Sequence, residues 1–212
     1  MALVNVREVY PGVTLGLWQI EESVDAFFKR YPWTQKYRGD LARRYTNDVR
    51  RLEFLATRVL LCDILLSRGL SKRKISDLGE ISYDLNGKPL FKGYQISISH
   101  TKGYAAMILS KDKRVGVDIE YLDNRVQRVA SKFLRKDEKA ADLDSLLVHW
   151  CGKETVYKLF SEEKLQFKEM RVAPFDTMSD WSCEIMDLKS KCKVLVDFEL
   201  TMDFVLTYAA LR

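Results

Sequence analysis

The sequence predicts an α+β fold. Apolar residues recur at helical spacing over 46–68, 126–143 and 146–160. Short runs bounded by turn residues, over 81–84, 96–99, 104–110, 115–121, 194–200 and 204–211, read as strands. The two kinds of element mix without a steady strand–helix–strand rhythm, which argues against a doubly wound sheet. No dinucleotide fingerprint and no phosphate-loop signature occurs. The 212 residues suffice for one large domain or two smaller ones with real cores. At 47% hydrophobic and 31% charged, disorder and a disulfide mini-scaffold are excluded classes.

Each element has a local cause. Residues 46–68 open on N-cap oxygens from Thr46 to Asp48, carry Val49, Leu52, Leu55, Ala56, Val59 and Leu66, and stop before Gly69. Asn86-Gly87 predicts a hairpin turn, because both residue types tolerate positive φ. Pro89 cannot donate to a ladder and marks an edge or a strand start. Over 96–99, Ile96 and Ile98 face one way, Ser97 and Ser99 the other. The four cysteines (Cys62, Cys151, Cys183, Cys192) form no C-x-x-C pair, and His100 and His149 are the only histidines, so neither zinc nor a disulfide framework is indicated. Reduced thiols and a cytoplasmic location are expected. The most apolar stretch, 54–66, is broken by Arg58 and Asp63, and Arg7, Glu8, Glu21 and Glu22 interrupt any signal-peptide core, so no span and no signal peptide are expected. A net charge of +5 from interspersed signs fits a modestly anionic partner without demanding nucleic acid.

Three segments carry chemistry. In Val115-Gly116-Val117-Asp118-Ile119-Glu120 the strand period sends the apolar residues to a core and places Asp118 and Glu120 on the other face, their Cα atoms roughly 7 Å apart. Gly116 shares that face and is expected to leave open space beside Asp118. Two such carboxylates can share a hard cation, although a half-buried strand with a polar face reads the same way. In Trp150 to Lys158, residues four apart share a helical stripe, which groups Trp150, Glu154 and Lys158, with Lys153 adjoining. Carboxylates hold magnesium and lysines neutralise phosphate oxygens. A core tryptophan beside a surface Glu154–Lys158 pair fits equally. Ser99 and His100, ahead of Gly103, form a corner able to donate to a phosphate, or a satisfied structural pair.

Taken in order, Asn86-Gly87-Lys88-Pro89, Ser97-Ile98-Ser99-His100, Gly116 to Glu120, Phe133 to Glu138 and Trp150 to Lys158 resemble the 4′-phosphopantetheinyl transferase superfamily. The length and the Trp-x-x-Lys-Glu form are similar to its larger, surfactin-synthetase-activating class. The resemblance implies a pseudo-dimer of two similar α+β half-domains, 1–112 and 113–212, with the metal motifs in the second. It implies transfer of the 4′-phosphopantetheine arm of coenzyme A to a serine of an apo-acyl or peptidyl carrier protein, releasing 3′,5′-ADP, with magnesium on the pyrophosphate and the chain acting as a monomer. Asp118, Glu120 and Glu154 match the metal positions. Glu154, Lys158 and Glu138 match catalytic positions, with the base open between Glu138 and Glu154. Lys88, Pro89, Ser99, His100, Lys153 and Lys158 match coenzyme A positions. Arg51 and Arg58 fall where the family presents basic residues to coenzyme A, with Arg43, Arg44 and Arg50 as competitors. Leu134 and Arg135 depart from the aromatic and serine commoner there.

Arg125, Arg128 and Lys132 share a helical face that suits an acidic carrier protein, or a solvated basic face. Fatty-acid, polyketide and peptide-synthetase carriers all remain open. A catalytically silent relative that binds coenzyme A or a carrier is the alternative, argued against by intact Asp118, Glu120, Glu154 and Lys158. A nucleic-acid module lacks both a motif and a one-signed surface.

Overall fold

The computed structural model describes residues 3–211, with side chains from residue 5. β1 (Leu3–Tyr10) and β2 (Val13–Gln19) form a hairpin that the sequence reading left unassigned. α1 (Val24–Arg30), a 3-10 turn (Pro32–Tyr37) and α2 (Arg38–Arg44) lead into the long α3 (Asp48–Ser67). The Asn47 side chain accepts from Val49 N to start α3, and Gly69, at φ 80°, follows its end. α4 (Lys72–Leu78) precedes the short hairpin β3 (Ser82–Tyr83) and β4 (Pro89–Leu90). Only Gly87 of the expected Asn-Gly turn has positive φ, because the Asp84 carboxylate accepts from Asn86 N and Lys88 N and closes a longer loop.

β5 (Gln95–Thr101) and β6 (Tyr104–Ser110) complete a first antiparallel sheet, ordered β1-β2-β6-β5. β7 (Arg114–Tyr121) begins a second. α5 (Arg125–Phe133) and α6 (Leu143–Leu159) follow it, then β8 (Met170–Val172), β9 (Ser182–Asp187), β10 (Lys193–Leu200) and β11 (Phe204–Leu211), ordered β7-β11-β10-β9-β8. The helix expected over 126–143 ends at Phe133. Leu134 turns extended, and the Glu138 carboxylate captures Arg135 N, so residues 134–142 become a loop. Asp142 and Ser145 then form a capping box that starts α6.

The two sheets lie face to face, with a helix over each outer side. Val13, Leu15 and Leu17 of β2, Ala106 and Ile108 of β6, Val115, Val117 and Ile119 of β7, and Leu206 of β11 make the core between the sheets. The alternate residues of the same strands meet helices: Trp18, Ala105 and Met107 pack with Leu55, Leu60 and Ile64 of α3. On the other side Val205 and Ala209 pack with Val148, Val156 and Leu159 of α6. This is the period-two consequence of strands buried on both faces. Side chains on β5 stitch its edge to the edge of β7, Ser97 Oγ accepting from Val117 N at 3.2 Å and Thr101 Oγ1 from Tyr121 N at 3.1 Å. Among the described residues no helix is long and apolar enough to cross a membrane.

Candidate active site

The site is built where β7 passes under α6. Gly116 permits it: a Cβ there would sit 2.4 Å from the Thr155 carbonyl oxygen, so only glycine lets the helix backbone press onto the strand. The open space expected beside Asp118 is therefore filled by α6, whose approach brings Glu154 and Lys158 to the two strand carboxylates. Asp118 is buried; its Oδ1 accepts from Ser99 Oγ at 2.7 Å and from Lys158 Nζ at 2.8 Å. Lys158 Nζ also donates to the Val117 carbonyl at 2.9 Å. Glu120 accepts from Trp150 Nε1 at 3.2 Å and from Thr101 Oγ1 at 3.3 Å.

Electrostatically, the three acids act on one another. Burial and then the Asp118 charge push the Glu154 carboxyl up to about 7, against the pull of Lys158. Burial, followed by Asp118, also raises Glu120. Burial, followed by the charges of Asp118 and Glu120, pushes the Cys151 thiol well above the ordinary thiol range. Asp118 Oδ2 is buried without a hydrogen-bond partner. An orphaned carboxylate oxygen within mutually repelling acids is costly, and it suits a hard cation with oxygen ligands. Even so, among the described residues no three or more His, Cys, Asp or Glu side chains stand in a metal-holding arrangement. The expected trio is brought close but is not gathered into a cage. Lys158 pairs with Asp118 at 2.8 Å, and the charges of Asp118 and Glu120 act on Glu154.

Two cavities bear on this region; Glu120 lines the first, and none of the three acids lines the second. One, of about 460 Å³, is lined by Thr101, Glu120, Arg125, Val129, Leu147 and Trp150. The other, of about 360 Å³, is lined by Arg50, Glu53, Phe54, Arg58, Tyr83 and His100, with Pro89 beside them. Its apolar floor carries Arg58, whose guanidinium carbon lies 3.6 Å from the centre of the Phe54 ring and whose Nη1 donates to Thr57 Oγ1 at 2.9 Å. His100 Nδ1 lies 3.4 Å from Glu53 Oε2, which Arg50 Nη1 also reaches at 2.9 Å.

Several expected residues stand elsewhere. Lys153 is fully buried, and its Nζ donates to Glu138 Oε2 at 2.7 Å and to the Phe133 carbonyl at 2.8 Å. Burial lowers its pKa, with Glu138 opposing. The Glu138 side chain is equally sealed and also accepts from Arg135 N and Val172 N. This pair braces the loop before α6 against β8, so neither residue faces a cavity. Ser99 spends its hydroxyl on Asp118 rather than on an open corner. Arg51 is tied to Asp48 and the Tyr45 carbonyl, and the cavity wall holds Arg50 and Arg58 instead. Lys88 Nζ sits 3.7 Å from Glu162 and lines a separate groove. The sequence reading missed Glu53; its spacing of three from Arg50 on one helix was the available signal.

Residues 114–209 match the family model of the 4′-phosphopantetheinyl transferase superfamily. The matched segment runs from β7 into β11 and contains all three acids and Lys158. That superfamily moves phosphopantetheine, with coenzyme A as co-substrate and carrier proteins as acceptors. The match covers less than half of the 212 residues, and the mixed helices and strands of the fold are consistent with it. No curated protein matches the sequence.

Proposed function

We propose that this chain transfers the 4′-phosphopantetheine arm of coenzyme A to a serine of an apo-acyl or peptidyl carrier protein and releases 3′,5′-ADP. The observation that carries the reading is the group Asp118, Glu120, Glu154 and Lys158, with Glu120 lining the first cavity and Asp118 Oδ2 unpaired. Asp118, Glu120 and Glu154 would hold a magnesium ion, which would supply charge neutralisation at the pyrophosphate. The residues do the rest. The carrier serine Oγ forms a bond to the β-phosphorus as the bond from that phosphorus to the bridging oxygen breaks, and its electron pair leaves on the 5′-phosphate of 3′,5′-ADP. Glu154, raised to about 7, takes the serine proton. The burial of Glu138 behind Lys153 supports Glu154 as the acceptor. Lys158, already beside Asp118, offsets charge growing on the phosphoryl oxygens.

The half-domain reading has topological support. The strand order β2-β6-β5 under α3 recurs as β7-β11-β10 under α6, each set antiparallel. Gly16 and Gly116 lie in the first strand of each set, where a Cβ would strike the covering helix. With the boundary between Ser110 and Arg114, this repetition supports a pseudo-dimer of the larger, surfactin-synthetase-activating class, split at 112/113 and working as a monomer. Arg128 and Lys132 on α5, exposed beside the first cavity, form the face we assign to an acidic carrier. The test is intact mass of apo-carrier proteins incubated with coenzyme A and magnesium. A gain of one phosphopantetheine arm is expected. No gain on any carrier of fatty-acid, polyketide or peptide synthesis overturns the proposal.

A further inference from the structure

Three hydroxyls of β5 reach across to β7. Ser97, Ser99 and Thr101 stand two residues apart, which puts them on one face of the strand. Ser97 Oγ accepts from Val117 N, and Ser99 Oγ donates to Asp118. Thr101 Oγ1 accepts from Tyr121 N at 3.1 Å and donates to Glu120 Oε2 at 3.3 Å. A hydroxyl carries a single hydrogen. The Tyr121 N–H can only donate, so Thr101 meets it with a lone pair and keeps its own hydrogen for the carboxylate. The other oxygen of Glu120, Oε1, accepts from Trp150 Nε1 at 3.2 Å. That indole packs against the rings of Phe133 and Phe167, with centroids 5.1 Å and 5.0 Å away. Both donors to Glu120 are neutral, whereas Asp118 is paired with the ammonium of Lys158.

Resting on the proposed metal set, we infer that Thr101 is a positioning residue of that set: its hydroxyl fixes one oxygen of Glu120 from β5 while the Trp150 indole fixes the other from α6, and neither cancels the charge a divalent cation needs. A carboxylate free to turn loses rotamer freedom when it takes a cation; one gripped at both oxygens has lost it already. The chain of hydrogen bonds from Tyr121 N through Thr101 to Glu120 polarises each link and strengthens the grip. Thr101 and Glu120 both line the first cavity, so the contact stands at the cavity wall and is not sealed beneath it. Thr101 also lies outside the segment 114–209, so an acid of the second sheet is oriented by a strand of the first.

The test is binding of Mn2+ to the full chain saturated with coenzyme A, read by electron paramagnetic resonance of the free ion against a coenzyme A blank. Thr101→Val keeps the shape and removes the hydroxyl, and the dissociation constant for Mn2+ is expected to rise about tenfold. Thr101→Ser keeps the hydroxyl and should stay within about twofold of the unmodified chain. In a Glu120→Gln chain, Thr101→Val is expected to add no further loss, because the hydroxyl acts through that carboxylate. Where valine leaves the Tyr121 amide without an acceptor and the chain fails to fold, Thr101→Cys, a weak donor of similar size, carries the same expectation. Mn2+ affinity unchanged without the hydroxyl, even beside a lowered melting temperature, marks a contact of the seam alone; it overturns the inference and leaves the transferase reading standing. A loss that persists in Glu120→Gln, or that Thr101→Ser shares, does the same. An unmodified chain that holds no Mn2+ beyond the blank overturns the metal set, and this inference with it.

Discussion

Asp118 shows how a single side chain can be both stabilised and strained. Ser99 and Lys158 satisfy one oxygen, while the other lies buried and unpaired. Asp118→Asn removes the charge without changing the shape. Turnover, read by carrier mass, should fall about a hundredfold or more, since several kcal/mol of charge stabilisation are lost. The melting temperature without magnesium should shift by no more than roughly a few degrees, because the repulsion of Glu120 and Glu154 and the ion pair with Lys158 are lost together. A larger fall in melting temperature would mark misfolding and sink the assignment. Glu154 gives a second expectation. Its folded pKa, about 7, exceeds its ordinary 4.5, so the native chain holds a proton there that the unfolded chain has lost. Stability is complete below the lower value and declines as pH rises toward the upper one. Magnesium should therefore raise the melting temperature more at about pH 8 than at about pH 5. Equal shifts at both pH values would remove Glu154 from the metal set.

At the level of elements, the placement of α6 decides the site. Gly116→Ala would drive a methyl into the Thr155 carbonyl, a backbone atom that cannot rotate away. The expected cost is about 1–3 kcal/mol, with turnover lost as Glu154 and Lys158 move off β7. Gly16→Ala meets only the flexible ends of Leu60 and Ile64, so it should cost less and leave turnover intact. Denaturant midpoints and single-turnover rates of both variants test this. The Lys153–Glu138 pair ties the same stretch of the helix to the loop before it. Lys153→Met leaves a buried carboxylate facing no cation and should cost about 3–5 kcal/mol by chemical denaturation. A near-neutral result would mean that the Arg135 and Val172 amides alone satisfy Glu138.

Across the whole molecule, the seam between β5 and β7 joins Ser99 to Asp118, with Glu120 of β7 lining the first cavity and His100 of β5 the second. A donor on one side and an acceptor protein on the other would meet at the acids. The α5 face bears Arg128 and Lys132, both exposed, whereas Arg125, the third residue of the expected face, pairs with Asp123 at 3.2 Å. Arg128→Glu should raise the KM for carrier protein, most at low salt, and leave that for coenzyme A unchanged. Equal effects on both substrates would move the docking surface elsewhere.

The sequence by itself determined the α+β class, α3, the strand carrying Asp118 and Glu120, and the stripe of Trp150, Glu154 and Lys158. Those follow from periodicity and capping, which are local. It did not reveal β1 and β2, the early end of α5, or the fate of Glu138 and Lys153, which the loop before α6 turns inward. Nor did it reveal that Ser99 serves Asp118 or that Glu53 meets His100. These contacts join segments far apart in the chain, and residue type cannot say which neighbour a polar group finds until the sheets and helices are packed.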